Sequence, residues 1–295
     1  MNFTILNLRK ISPAILTLLI FLLAQGLGTV LVFGIGMLVS PDFNIALQAY
    51  LSGEAQGLPL FELLPISLFS LILMGVNILA VLCCYFFIHN IHFATACDFS
   101  TIRWCPGMLA IVGGFLGALS ISILTESIEL PDAMLQLSLA MSNNLWGLIA
   151  LVIVGPITEE LLFREAIVGE MLRRGTSPWI AIMVSALAFS AMHLNLAQGL
   201  YAFPLGIIFG IIYYKTGNIV LTSLLHILNN GIVVVQLHTM KEDIADISYS
   251  EWFGGDLKAY AAMLVLGALC IVLMGLFWNY YLPFQRNDKK ETFIN

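Results

Sequence analysis

Charge is the scarcest property of this chain. Of its 295 residues only 10% are Asp, Glu, Lys or Arg, whereas charged residues make up about 25% of an average soluble domain. Apolar residues account for 60%, and runs long enough to cross about 30 Å of hydrocarbon recur along the chain. This balance excludes a soluble enzyme and leaves no basic surface for nucleic acid. It predicts an all-α integral membrane protein surrounded by the lipid bilayer.

Cysteine is also scarce, and the common metal and nucleophile motifs are missing. The five cysteines do not suggest a disulfide framework, and the spacing of His89, His92, Cys97 and Cys105 matches no standard zinc pattern. The chain contains no H-E-x-x-H zinc helix and no G-x-S-x-G nucleophile elbow. These absences exclude the usual zincin and serine-hydrolase active sites.

Apolar segments predict a polytopic bundle of about eight transmembrane helices. The first segment is longer than the roughly 7–15 residues of a signal-peptide core and lacks a clear cleavage site, so we interpret it as a retained anchor. The segments lie at approximately 14–39, 63–88, 108–124, 145–171, 178–194, 199–214, 218–237 and 259–282.

The loops between these segments differ in charge, and this difference predicts the orientation of the chain. Lys and Arg are enriched in the cytosolic loops of membrane proteins. One side carries the basic residues Arg9, Lys10, Arg103, Arg173, Arg174, Lys215, Arg286, Lys289 and Lys290. The other side carries Asp42, Glu54, Glu62, Glu126, Glu129, Asp132 and the acidic loop 241–258. With an even number of helices both termini are expected in the cytosol. Because nothing suggests organelle targeting, we expect a bacterial inner membrane.

Three ionisable residues stand close together in the fourth segment, namely Glu159, Glu160 and Arg164. Each such group costs roughly 2.5–3.5 kcal/mol at membrane depth on insertion scales, so it must pair, line a wet cavity or do chemistry. Residues four apart share a helix face, which predicts a supporting ion pair between Glu160 and Arg164. Glu159 points roughly 140° away from Arg164 and is left free. Pro156 removes one helix hydrogen bond and is expected to kink the helix.

Two later segments carry histidines in similarly spaced pairs. Phe189 precedes His193 by four residues and His226 precedes Asn230 by four, so each pair is expected to share a helix face. At a rise of about 1.5 Å per residue, Glu159, Asn230 and His193 are expected about 18–24 Å from the cytosolic boundary and His226 about 12 Å from it. We therefore expect one shared polar site.

The residue types allow two hydrolytic geometries. Glu159 beside His193 can hold and deprotonate a water molecule, while His226 and Asn230 donate hydrogen bonds to a developing oxyanion. Alternatively, Glu159, His193 and His226 form a zinc site with water as the fourth ligand. Both geometries hydrolyse an amide bond, and the sequence leaves the cofactor open between none and zinc.

Two other classes of protein also place polar residues inside the membrane. A proton-coupled transporter uses carboxylates and histidines as a relay at the midplane, although the sequence shows no inverted repeat. A non-catalytic scaffold or immunity protein uses the same residues as interhelical hydrogen bonds. On either reading, Asn195, Gln198 and Asn229 are interpreted as turn or packing residues.

Three motifs occur in order on separate segments: E-E-x-x-x-R from Glu159, F-x-x-x-H from Phe189 and H-x-x-x-N from His226. Together they resemble the CAAX prenyl endopeptidase and bacteriocin-processing family of intramembrane proteases, also called the CPBP or Abi family. The resemblance implies an eight-helix fold whose site opens towards cytosol and lipid. It implies that Glu159 and His193 activate water and that His226 and Asn230 bind the oxyanion, with support from Glu160, Arg164 and Phe189. The family is described both as metalloproteases and as metal-independent glutamate proteases.

The resemblance also divides the chain. It covers 145–237 as a catalytic core, leaving 1–144 as N-terminal transmembrane helices. The remainder, 238–295, is expected to be an acidic external loop, a last transmembrane helix and a cytosolic tail. The resemblance implies a membrane-associated or lipidated protein or peptide as substrate, which in this family is either prenylated or linked to bacteriocin maturation and immunity.

Overall fold

A computed structural model describes residues 3–54, 65–126, 128, 135–239 and 249–281, with the side chains of 3–11, 13, 238 and 239 left out. Within these ranges the chain is helical and contains no strand. Part of the predicted loop charge lies outside the described residues or side chains, namely Arg9, Lys10, Glu62, Glu129, Asp132, the loop 241–248, Arg286, Lys289 and Lys290.

The described chain forms a bundle of long helices joined by short ones. We number the long helices and the adjoining short ones in chain order: α1 Phe3–Val39, α2 Pro41–Leu51, α3 Ile66–Cys83, α4 Phe93–Ala96, α5 Trp104–Glu126, α6 Leu135–Ser142, α7 Leu145–Arg173, α8 Pro178–Ala191, α9 Leu196–Thr216, α10 Val220–Thr239, α11 Tyr249–Phe253 and α12 Asp256–Tyr280. A π-helical turn, Cys84–Ile88, extends α3.

The prediction of an all-α polytopic membrane protein is confirmed. Within the described ranges, seven helices are long and apolar enough to cross a membrane, and α8 is a shorter apolar helix of 14 residues. At about 1.5 Å per residue, α8 extends about 21 Å and ends at Ala191, three residues before the predicted boundary. His193 therefore lies in the turn after α8 and not on the helix itself.

Helix α7 is irregular where the sequence predicts a kink. Its backbone is π-helical over Ile149–Val154 and again over Glu160–Gly169. Pro156 has no N–H to donate, and the N–H of Gly155 bonds to the carbonyl of Ala150, five residues back. A Cβ atom on Gly155 would lie 2.7 Å from that carbonyl oxygen. The proline is thus accommodated by a wider helical turn, which is common at functional sites.

Close helix contacts position the second half of the bundle. On α9, Gly206 packs against Ala186 and Gly210 against Ile182, both on α8. A Cβ atom on Gly210 would lie 2.8 Å from the Ile182 Cγ2 atom. The G-x-x-x-G pair therefore serves helix approach, as the sequence suggests.

The outer surface of the bundle is apolar, as contact with lipid requires. On α12 the side chains of Leu257, Leu264 and Ile271 are 83%, 68% and 75% exposed. An exposed stripe of this size on one helix is typical of a membrane-facing surface. The lipid bilayer is therefore the natural surrounding of α12.

Candidate active site

Glu159, His193, His226 and Asn230 all line one cavity of about 550 Å³. They reach it from three parts of the bundle: Glu159 from α7, His193 from the turn after α8, and the other two from α10. The cavity also has apolar walls, which include Phe189. The expectation that these side chains share a site agrees with this geometry, while their chemical roles stay predictions.

Glu160 and Arg164 form the expected ion pair. The Arg164 Nε atom lies 3.0 Å from Glu160 Oε2, and both side chains are fully buried. The guanidinium also donates to Ser185 Oγ at 3.1 Å, and its carbon lies 4.9 Å from the Phe189 ring centre and 5.3 Å from that of Phe209. The charge is therefore held by a carboxylate, a hydroxyl and two ring faces deep inside the bundle.

His226 lies between two carboxylates. Its Nδ1 atom is 3.1 Å from Glu160 Oε1, and its Nε2 atom is 3.6 Å from Glu159 Oε2. Glu159 keeps 25% of its side chain exposed, whereas Glu160 has none exposed. The structure therefore separates a sealed glutamate, fixed by Arg164 and His226, from one that is open to the cavity.

His193 is oriented by the end of α8. Its Nδ1 atom lies 2.8 Å from the carbonyl oxygen of Phe189. A carbonyl only accepts, so Nδ1 carries a proton, and in the neutral tautomer that this bond selects Nε2 is the acceptor. The next residue, Leu194, has a φ of +50°, an unusual value for a leucine that marks a constrained turn. His193 thus presents a basic nitrogen where the helix has ended.

Phe189 connects the two histidines. Its ring meets His193 edge-to-face with centres 5.0 Å apart and His226 edge-to-face at 5.7 Å. It is 2% exposed. The predicted supporting position of Phe189 is therefore a packing role, in which one ring fixes the orientation of two imidazoles.

Asn230 has a structural partner that the sequence does not reveal. Its Nδ2 atom donates to the carbonyl oxygen of Leu151 at 2.9 Å. That carbonyl has no donor within its own helix, since Gly155 bonds to Ala150 and Pro156 lacks an N–H. Asn230 therefore replaces a backbone hydrogen bond that the proline removes, and its second Nδ2–H is left for the cavity.

The zinc site that the sequence allows would use Glu159, His193 and His226. Among the described residues, no group of three or more His, Cys, Asp and Glu side chains is placed to hold a metal ion. His226 uses Nδ1 on Glu160, and its Nε2 points to Glu159. The absence of such a cluster supports the metal-free form of the predicted site, and the zinc alternative stays a prediction.

A second buried network lies further along α7, and the sequence interpretation overlooks it. Glu165 is fully buried and accepts from Arg173 Nη1 at 2.9 Å, from the His92 backbone N–H at 3.3 Å and from the Tyr213 hydroxyl. Its Oε1 atom also lies 3.2 Å from His92 Nδ1. Arg173, which the charge pattern treats only as a cytosolic marker, donates to the Asn90 carbonyl at 2.9 Å. The free-energy cost of an ionisable residue at membrane depth, which singles out Glu159, applies equally to Glu165. This cost is the sequence signal by which Glu165 could have been found.

Asn229 also belongs to the site region and not to a turn. The Tyr201 hydroxyl donates to Asn229 Oδ1, and Asn229 Nδ2 donates to Asn230 Oδ1 at 3.2 Å. Tyr201, Asn229 and Gln198 all line the cavity. This chain of hydrogen bonds orients the Asn230 amide so that its nitrogen faces Leu151.

Residues 141–232 match a family model described as "Type II CAAX prenyl endopeptidase Rce1-like". The resemblance to the CAAX endopeptidase family is confirmed. The matched range contains all seven residues singled out by the motifs. It leaves α1 to α5, α11 and α12 outside the match.

Two relatives share this part of the chain. The "Membrane-embedded CAAX protease MroQ" of Staphylococcus aureus (strain USA300) is 34% identical over 88 residues, which cover 28% of this chain and 36% of the relative. The "Putative membrane peptidase YdiL" of Bacillus subtilis (strain 168) is 32% identical over 83 residues, covering 28% and 34%. The chain thus spans about a third of the length of the curated relatives it matches. No solved structure matches the chain.

Proposed function

We propose that the protein is an intramembrane endopeptidase that hydrolyses a peptide bond of a membrane-associated or lipidated substrate. The observation that carries the proposal is the shared cavity of Glu159, His193, His226 and Asn230 within the segment that matches the CAAX endopeptidase family. The names of the relatives describe a membrane-embedded CAAX protease and a membrane peptidase.

In the proposed mechanism Glu159 acts as the general base. A water molecule is held by the Glu159 carboxylate and by Nε2 of His193, which is left as an acceptor by the bond between Nδ1 and the Phe189 carbonyl. Glu159 removes one proton as the water oxygen attacks the carbonyl carbon of the substrate. The same proton then passes to the leaving amine as the C–N bond breaks.

His226 and Asn230 stabilise the oxyanion in this mechanism. The oxyanion role requires an N–H at His226 Nε2 while Nδ1–H is donated to Glu160. The Nε2 atom is available for it, because its 3.6 Å separation from Glu159 is longer than a hydrogen bond. The second Nδ2–H of Asn230 supplies another donor. Two carboxylates, one guanidinium and one imidazolium then carry no net charge, which suits a site at membrane depth.

The decisive experiment is proteolysis by the purified protein in lipid nanodiscs, with a library of prenylated and unmodified apolar peptides. We expect Glu159→Gln to lose about 10²–10⁴-fold in turnover, the usual contribution of a general base, and to unfold at the wild-type temperature. Glu54→Gln, a matched change at an exposed carboxylate, serves as the control and is expected to keep full activity. Full activity of Glu159→Gln would exclude this mechanism.

Chelation tests the metal-free form of the proposal. Because the described residues do not form a three-ligand cluster, we expect 1,10-phenanthroline to leave peptide cleavage unchanged. Zinc at one equivalent in the active protein, lost together with activity in His226→Ala, would contradict it.

A further inference from the structure

Gln25 on α1 and Asn77 on α3 form an amide pair inside the membrane-spanning part of the bundle. Gln25 Nε2 donates to Asn77 Oδ1 at 2.7 Å. Both side chains line the same cavity as Glu159 and His193. They lie outside the range that matches the CAAX endopeptidase family, so the family resemblance assigns them no role.

The two side-chain amides have more hydrogen-bond donors and acceptors than the bond between them uses. One bond uses one Gln25 N–H and the Asn77 carbonyl, and no other side-chain bond to either amide is formed by the described residues. Exchanging O and N in both amides reverses the bond and again leaves one carbonyl oxygen and several N–H groups unused. Among the described residues, some side-chain N and O atoms are buried and lack a hydrogen-bond partner, and no atom of these two amides is one of them. The unused groups are therefore open to the cavity.

The surrounding wall defines the chemistry that suits these groups. Phe21, Leu22 and Leu73 line the cavity beside the pair, and Glu159 is the one acidic residue among the described lining residues. Beside the pair, this lining favours a ligand that is apolar and uncharged and that offers both a donor and an acceptor. A peptide backbone amide in an apolar segment has these properties.

Hydrolysis itself creates a need for such a site. A segment must leave its helix before its scissile bond is accessible, and its N–H and C=O groups then lose their partners. In an apolar medium each unpaired backbone N–H or C=O group is strongly unfavourable. Side-chain amides in the cavity wall satisfy a donor and an acceptor at once, which lowers the cost of unwinding.

We propose that Gln25 and Asn77 form a subsite that binds a backbone amide of the unwound substrate segment beside the scissile bond. The inference rests on the proposed endopeptidase function and specifies its substrate as an extended, uncharged segment. Selectivity then comes in part from main-chain hydrogen bonds contributed by α1 and α3, outside the catalytic motifs.

An amide-to-ester scan tests the subsite directly. The probe is a fluorescent ten-residue peptide of Leu, Ala and Val, and each member of the series replaces one backbone amide by an ester, which removes one N–H. Binding is measured by fluorescence polarisation to Glu159→Gln protein in nanodiscs, where the peptide is not cleaved. We expect one position at which the ester weakens binding about 3- to 10-fold, the value of one hydrogen bond.

Variants then assign that position to the pair. In a Gln25→Leu background we expect the same ester to cause no further loss, whereas Thr29→Val should keep the full effect. Thr29 is a matched control because it lines the cavity one helical turn away and uses its hydroxyl on the Gln25 backbone carbonyl. If Gln25→Leu does not fold, Gln25→Leu/Asn77→Leu, which removes both partners, takes its place.

The possible outcomes test the Gln25–Asn77 subsite and the endopeptidase function independently of each other. An ester profile unchanged by the Gln25 and Asn77 variants, or no saturable binding of the parent peptide, would overturn the subsite. Cleavage of the parent peptide by the wild type, abolished in Glu159→Gln, would still support the endopeptidase. Binding with the expected ester profile but no cleavage of any peptide would instead contradict the endopeptidase function and support a cavity that only binds peptides.

Discussion

The two nitrogens of His226 face different carboxylates, and this difference gives the two adjacent glutamates different tasks. Glu160 is sealed and shared between His226 and Arg164, while Glu159 is open to the cavity. Removing one member of a buried ion pair leaves an uncompensated charge. Loss of Glu160 or Arg164 should therefore affect folding first and turnover through the orientation of His226.

Arg164→Ala tests this division at the level of stability. We expect it to lower the free energy of unfolding by about 3–5 kcal/mol, measured as a loss of monodisperse protein and of thermal stability in detergent. Arg174→Ala is the control, since this side chain is 39% exposed in its pair with Glu170 and a surface pair contributes about 0–1 kcal/mol. Equal stability of the two variants would contradict the structural role assigned to Arg164.

Asn230 is predicted to be coupled to Pro156, although the two are far apart in sequence. Asn230→Ala should leave the Leu151 carbonyl unpaired, at a cost of about 1–3 kcal/mol. In a Pro156→Ala background a backbone N–H becomes available to α7, so the same change should cost less. Thermal unfolding of the four proteins in the double-mutant cycle measures the coupling. Strictly additive effects would show that Asn230 does not compensate for the proline.

The sequence predicts which residues meet, but not which atoms they use. Spacing alone indicates the Glu160–Arg164 pair, because this pair follows from helix periodicity. His193 contacts Phe189 from the turn after α8, so the helix face that the sequence predicts for these two residues is not what brings them together. The bond from Asn230 to Leu151 depends on the register of a π-helical stretch, which periodicity cannot reveal. Glu165 is overlooked for a different reason: its partners His92 and Tyr213 come from distant parts of the chain.

At the scale of helices, the first π-helical stretch of α7 precedes Glu159, and the second contains Glu160 and Arg164. Ile149–Val154 precedes Gly155–Glu159, and Glu160–Gly169 follows it. The boundary between the short α-helical turn and the second π-helical stretch falls between Glu159 and Glu160. Adjacent helical residues point about 100° apart, so Glu159 faces the cavity while Glu160 faces its sealed ion pair. Regular α-helical geometry predicts this separation but not the two π-helical stretches.

Packing between α8 and α9 is expected to tolerate no added side chain at Gly210. Because its Cβ atom would lie 2.8 Å from Ile182 Cγ2, Gly210→Ala should destabilise the protein by about 1–3 kcal/mol through overpacking. Ile182→Ala removes the clashing atoms, so the double variant should be more stable than the sum of the single changes allows. Gly275→Ala, where a Cβ atom meets nothing within 4 Å, is the matched control. A harmless Gly210→Ala would show that α8 and α9 approach less closely.

At the scale of the whole molecule, the number of spans follows from hydropathy because lipid imposes length on every helix that crosses it. The short α8 is the exception, and it ends early because the turn containing His193 and Leu194 begins inside the predicted segment. The contribution of α1 and α3 to the cavity could not be predicted from sequence. Gln25 and Asn77 look like ordinary interhelical amides until their shared cavity with Glu159 is seen.

The orientation of the bundle is still a prediction from charge, and cysteine labelling tests it. Cys105 is exposed at the start of α5, on the side that the Lys and Arg bias assigns to the cytosol. In intact bacterial spheroplasts, a membrane-impermeant maleimide should label Cys105 only after permeabilisation. A Glu54→Cys variant, exposed on the predicted opposite side, should label at once.

Cys97 provides an internal reference in the same experiment, because it lies on the same predicted side but is half-buried. Burial raises the pKa of the Cys97 thiol, and the nearby Glu165 carboxylate raises it further. Since the thiolate is the reactive form, Cys97 should label slowly after permeabilisation, and its rate should keep rising with pH beyond the ordinary thiol range. Rapid labelling of Cys105 in intact spheroplasts, with Glu54→Cys protected, would show that the bundle has the opposite orientation. The site would then open to the outside of the cell, and the source of its peptide substrates would change with it.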